Sequence, residues 1–182
     1  MSPIGSQGPS RLETDAVAVA DLWSYSLSRY RRNGVPPLCL TLQDCHGADV
    51  NLVLFALWLG EQRFTIRDDE AARQIRAAVS DWHRDAVVPL RSGRRWLKNR
   101  DFPDPNARDA LRAAIQRSEI EAERLEQSIL QRLFDAAWRD LLVEVEDGKQ
   151  AAMARNARWF CQTDAQGKAP DPIVRDLVGL CL

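Results

Sequence analysis

Between Gln43 and Gly60 the chain reads QDCHGADVNLVLFALWLG, and its first half carries the side chains with the widest chemical range. Asp44, His46 and Asp49 could offer two carboxylates and an imidazole to a metal ion. Their spacing is not that of a hard-cation loop, which needs more oxygens at regular intervals. Helix capping accounts for the same residues. Asp49 stands just before an apolar run, where a carboxylate accepts from the backbone N–H groups left free in a first helical turn. Asn51 fits beside it, its amide among those same groups, and His46 is expected to lie exposed at the turn.

A second group of titratable residues is the acidic segment SEIEAERLEQ. At about 100° per residue, Glu119, Glu123 and Glu126 fall on one side of a helix, at the border of its apolar seam, and Glu121 points away. Facing carboxylates in a helical bundle can hold two metals, but such sites add Glu-x-x-His pairs. No glutamate here has a histidine three residues on. Salt bridges to a neighbouring basic helix are the expected use, with no metal ligand and no cofactor.

That basic helix is PLRSGRRWLKNR, Pro89 to Arg100. Arg91, Arg94, Arg95 and Lys98 recur at helical spacing, with Trp96 among them and no acid between Asp85 and Asp101. Guanidinium forks suit phosphate and carboxylate, and an aromatic side chain can stack on a base. Two outcomes stand open: the basic and acidic segments neutralise each other inside the fold, or the basic one faces an external anion. The nucleophilic triads fail by inventory. Only His46 and His83 could act as imidazole bases, and Asp81 and Asp85, two residues either side of His83, lie on other helical faces. There is no Gly-x-Ser-x-Gly elbow and no phosphate-cradling glycine loop.

The elements that must position these groups read as helices throughout. After a Ser-, Gly- and Pro-rich tail over 1–12, a first helix is expected from near Thr14 to Arg32, closed by Asn33-Gly34. Pro36-Pro37 opens a short second helix that Gly47 ends. The third, behind Asp49, is Leu-rich and apolar on every side, so other helices must enclose it. Phe64-Thr65-Ile66 is a brief connection. The next helix carries Ile75, Val79, Trp82 and Ala86 on one face, until Pro89 kinks it or starts a new turn. After the break at FPDPN, one long helix is expected from near 106 to 146, with a seam of Leu111, Ile115, Ser118, Ala122, Leu125 and Ile129. Its Phe134 and Trp138 suit either a core or an interface between copies. A helix over Lys149 to Cys161, a linker TDAQGKAPDP and a short last helix complete the chain, and no alternating strand pattern of useful length occurs. The class is all-α, an irregular multi-helix bundle around the buried third helix, with 13–163 as a single helical domain and 164–182 as linker and terminal helix.

A chain of 182 residues with a net charge of −1 can bury a core of its own and has no overall field for nucleic acid or anionic lipid. Its four cysteines, Cys39, Cys45, Cys161 and Cys181, form no Cys-x-x-Cys pair. Reduced thiols in a cytoplasm are the expectation. The longest apolar run, Val50 to Leu59, is about half of what a bilayer span requires.

In its segments LWSYSLSRY, GVPPLCLTLQDCHGADVNLVLFALWLG, WHRDAVVPLRSGRRWLK and SEIEAERLEQ, the chain resembles a family of small bacterial proteins known only as conserved and uncharacterised. The resemblance runs from Leu22 to about Leu130. It implies a helical cytoplasmic protein and carries no established activity.

The leading functional expectation is a non-enzymatic binding or interaction domain that presents Arg91, Arg94, Arg95, Trp96 and Lys98 to an acidic protein or a phosphate-bearing ligand. Nucleic acid is a less favoured partner, a membrane is not expected, and self-association through the long helix is open. The alternative is an enzyme or small-ligand carrier, with an anionic-ligand or metal site between helices where Gln43, Asp44, His46, Asp49 and Asn51 meet Glu119 and Glu123. The direction of the three arginines separates the two: pairing with the glutamates weakens the surface, and lining a cavity favours the carrier.

Overall fold

A computed structural model of the chain describes residues 20–98, 100–146, 148–162 and 170–182. The expected tail, the start of the first helix and most of the linker lie outside them. The regular elements of the described residues are helices apart from one two-stranded ribbon.

Local signals set the helix ends. Helix α1, Leu22–Tyr30, is capped by Asp21, which accepts from the Ser24 N–H at 3.0 Å. Helix α2, Val35–His46, follows Gly34, whose φ of 90° is one that glycine adopts without strain. It stops at Gly47, where φ is 58°. Helix α3, Val50–Glu61, starts as expected: Asp49 Oδ1 accepts from the Asn51 N–H at 2.9 Å. Every residue from Asn51 to Gly60 is buried. Each large apolar side chain shut away there contributes about 1.5–3 kcal/mol.

Strand β1, Phe64–Ile66, precedes α4, Asp69–Trp82, and a π-helical turn, His83–Val87, joins α4 to α5, Val88–Lys98. The turn is the answer to Pro89. A proline in a helix lacks an N–H and crowds the carbonyl four residues back. A wider turn just ahead of it, in which the Val88 N–H donates to the His83 carbonyl, accommodates that ring. Helix α6 spans Pro105–Leu141, and strand β2, Leu142–Glu144, follows. Helices α7, Lys149–Arg158, and α8, Asp171–Cys181, end the chain.

Two expectations need correction. The long helix ends at Leu141 rather than near 146, because Leu142–Glu144 pairs antiparallel with Phe64–Ile66, Phe64 opposite Glu144. The ribbon is held from behind by Asn156 of α7. Its Oδ1 accepts from the Ile66 N–H at 2.9 Å, and its Nδ2 donates to the Phe64 carbonyl at 2.8 Å. The seam of α6 is displaced as well. Ala122 is buried and Ile129 packs on the core as expected, but Leu111 and Leu125 are exposed, and Glu119, Glu126, Gln127 and Leu130 are buried. The glutamates are therefore part of the packed stripe rather than its border. Phe134 and Trp138 belong to the core, where Phe134 meets Trp58 at 4.8 Å and Trp138 meets Phe64 at 5.2 Å between ring centroids.

The core is centred on α3, with α1, α2, α6 and α7 around it and α8 packed on α2 and α7. Helix α7 approaches closely at Gly60, where an added Cβ would lie 2.4 Å from the Met153 nitrogen. No described helix is long and apolar enough to cross a membrane, and all four cysteines are free.

Candidate functional site

The basic face of α5 turns toward α6. Arg91 is buried, and its Nε donates to Glu119 Oε1 at 3.1 Å while Nη2 donates to Glu123 Oε1 at 2.7 Å. Arg94, three residues on and so on the same face, forks onto Glu119 through Nε and Nη2. Arg95 stands further out and donates to Asp44 Oδ1 at 2.9 Å, which also accepts from Gln43 Nε2 at 3.0 Å. Trp96 is 58% exposed, under the Arg100 guanidinium, and Lys98 is exposed at the end of the helix. The five residues of the expected surface thus divide. Arg91 and Arg94 are engaged inside the fold, and Arg95, Trp96 and Lys98 form its outer edge.

The charges respond to these contacts. Burial works against the ionised form of Glu119, but Arg94 and Arg91 outweigh it and hold its pKa below the ordinary value. For Glu123 burial prevails over its single contact with Arg91, and the pKa is raised. Asp44 is lowered, by the Gln43 amide first and Arg95 second.

The same arginines line a cavity of about 400 Å³ between α1, α2, α3, α5 and α6. Trp23, Leu27, Leu40, Leu54 and Ile120 form its apolar walls, and Gln43, Asn51, Glu119, Glu123 and Gln127 its polar ones. Two buried polar atoms on its lining residues, Ser26 Oγ and Gln127 Oε1, have no hydrogen-bond partner among the described residues. An unpartnered buried polar atom costs about 1–3 kcal/mol, and both lie shut away from solvent behind the cavity wall.

Behind the cavity floor lies a second group. His83 Nδ1 stands 3.0 Å from Asp49 Oδ2 and 3.2 Å from Glu126 Oε1. Asn51 connects it to the cavity: its Nδ2 donates to Glu126 Oε2 at 2.7 Å, and its Oδ1 accepts from Gln127 Nε2 at 2.8 Å. Burial disfavours the imidazolium of His83, yet the two carboxylates prevail and push its pKa up to about 10. Asp49 is held down by His83 against the pull of burial. Glu126, fully buried and beside Asp49, is pushed up to about 7.

The residues of the alternative site are thus only partly united. Gln43, Asn51, Glu119 and Glu123 share the cavity, and Asp49 lies behind it. Asp44 is tied to Arg95 at the surface. His46 is a correction: it is buried rather than exposed, because its Nδ1 meets the Gln162 carbonyl at 2.8 Å and its own carbonyl accepts from the Gln162 N–H at 3.1 Å. That reciprocal pair fastens the segment after α7 to the end of α2. Asn51 is corrected too, since its side-chain partners are Glu126 and Gln127 rather than the backbone of its own first turn.

The local neighbours of His83 do point elsewhere, since Asp81 and Asp85 pair with Arg84. Its true partners lie 34 and 43 residues away and give no local signal. Glu126 stands on the glutamate face already visible in the sequence, and Gln127 follows it directly.

No curated protein and no solved structure matches this chain. A family model does, over residues 21–130. That span holds every residue of the cavity and of the Asp49–His83–Glu126 group, and α7 and α8 fall outside it. The chain belongs to the family described as protein of unknown function, DUF2390.

Proposed function

We propose that this chain is a non-enzymatic small-ligand-binding domain, whose basic helix α5 supplies arginines to a cavity for an amphipathic anion. The ligand class is a carboxylate or phosphate on an apolar body. Its head would take donors left on Arg94 and Arg95, and its body would lie along Trp23, Leu27 and Leu54. One observation carries this reading: Arg91, Arg94 and Arg95 line a cavity whose other walls include the apolar side chains of Trp23, Leu27 and Leu54. Guanidinium groups have five N–H donors each, and the ion pairs use only two on Arg91, two on Arg94 and one on Arg95. Glu123, with its raised pKa, is the carboxylate most readily displaced from Arg91.

The test is calorimetric titration with octyl phosphate and octanoate, set against octylammonium and octanol. Saturable one-to-one binding is expected for the anions alone. Loss of a charge-assisted hydrogen bond costs about 1.5–3 kcal/mol, so Arg94→Gln should weaken binding roughly 10- to 150-fold. Equal binding of octylammonium, or an Arg94→Gln variant that binds like the wild type, would refute the reading.

A second reading rests on the exposure of Trp96 beside Arg95 and Lys98: a docking edge for an acidic protein or, less favoured, nucleic acid. Nucleic-acid binding would fall steeply with salt as counterions are released. Trp96→Ala should abolish that interaction and leave octyl phosphate binding intact.

A further inference from the structure

We propose that Asp49, His83 and Glu126 form a binding site for one first-row divalent cation of the zinc or manganese class, with Asn51 as its positioning residue. The group combines an imidazole nitrogen with two carboxylate oxygens brought from three separate helical segments. Their ligand atoms all lie within 4.8 Å of one another, and Nδ1 is 3.0 Å from Asp49 Oδ2 and 3.2 Å from Glu126 Oε1. An ion about 2.1 Å from each ligand sets neighbouring ligands about 3.0 Å apart in octahedral and about 3.4 Å in tetrahedral coordination. The two nitrogen–oxygen distances fall inside that interval.

The outer contacts favour the same use. Each carboxylate has one oxygen held by Asn51: Asp49 Oδ1 by the backbone N–H at 2.9 Å, Glu126 Oε2 by the side-chain amide at 2.7 Å. The other oxygen of each, Oδ2 and Oε1, meets His83 Nδ1. Donors that orient ligating carboxylates from behind in this way are the usual support of a metal site. Two carboxylates and a neutral imidazole carry a charge of −2, which a single divalent cation cancels where an uncompensated charge is costly. A mixed nitrogen and oxygen set suits zinc, manganese or iron rather than calcium, which prefers six to eight oxygens. Glu126 is fully buried and the His83 side chain 21% exposed, so the site is largely enclosed and His83 is its most exposed member.

The test uses full-length protein stripped by chelator and titrated with Zn²⁺, Mn²⁺ and Co²⁺ alone. Calorimetry should give one site that Glu126→Gln or His83→Gln weakens at least about 100-fold and Asn51→Ala about 10- to 100-fold. Bound Co²⁺ should show visible ligand-field bands without the ultraviolet band of a thiolate ligand, which separates this site from the cysteines. If the variants unfold, the wild type still decides: its His83 imidazole ¹⁵N resonances should shift on Zn²⁺ addition while those of His46 stay in place. No binding to folded wild type, binding unchanged by the variants, a thiolate band, or a His83 signal that does not move would each overturn the proposal. None of these readouts depends on an amphipathic anion, so this proposal and the ligand reading fail separately.

Discussion

Replacing Asn51 by leucine of similar size should isolate two buried polar groups in one step. Glu126 Oε2 loses a donor at 2.7 Å, and Gln127 Nε2 loses an acceptor at 2.8 Å. Because Gln127 Oε1 already has no partner among the described residues, that whole amide would be left unpaired. A hydrogen bond to a charged group is worth about 1.5–3 kcal/mol, and a newly unsatisfied buried donor costs about 1–3 kcal/mol. The cap is spared, since the backbone N–H of residue 51 still reaches Asp49 Oδ1. The sum is about 2.5–6 kcal/mol, or about 5–24 °C in Tm for a domain of this size. Urea unfolding followed by far-ultraviolet circular dichroism measures it. A double-mutant cycle with Gln127→Leu isolates the cause, because removing both partners relieves part of the penalty. The coupling should be at least about 1 kcal/mol. An Asn51→Leu variant within about 0.5 kcal/mol of wild type, or a strictly additive cycle, would refute this reasoning.

Two further outcomes follow from the structure. Gly60→Ala places a Cβ 2.4 Å from the Met153 nitrogen, so α3 and α7 must part, at a cost of about 1–3 kcal/mol in the same unfolding assay; an unchanged midpoint would contradict this contact. In chelator-treated protein, His83 has a folded-state pKa raised from 6.5 to about 10, so its contribution to stability is full below about 6.5 and lost as pH rises through about 10. A proton titration of its imidazole should find it charged at pH 8, and His83→Gln should flatten that alkaline decline; a midpoint near 6.5 would remove the ion-pair account.

How much of this was legible in the sequence depended on the range of the signal. The junction of α2 and α3 could be read because Gly47 and Asp49 act within a few residues of where they stand. The enclosure of α3 could be read because it has no polar face. The match between α5 and α6 was visible as opposite charge, and Arg91 and Arg94 do meet Glu119. The buried face of α6 is not the one that seam spacing marks. Leu111 and Leu125 are exposed, whereas Glu119 and Glu126 are buried through Arg91, Arg94, His83 and Asn51, partners that sequence spacing does not supply. The ribbon was missed because three-residue strands carry no periodicity, and their pairing depends on Asn156 from a helix further along. His46 was misplaced for a similar reason, since Gln162, which covers it, is 116 residues away.

The central claim is that the inward arginines of α5 receive an anionic head within the cavity. The most direct measurement is a set of ¹⁵N–¹H spectra of arginine Nε and tryptophan indole groups during titration with octyl phosphate. The account predicts saturable shifts at Arg94, Arg95 and Trp23, which line the cavity, with Trp96 unmoved. Shifts confined to Trp96, or no saturable change at Arg94 and Trp23, would contradict it.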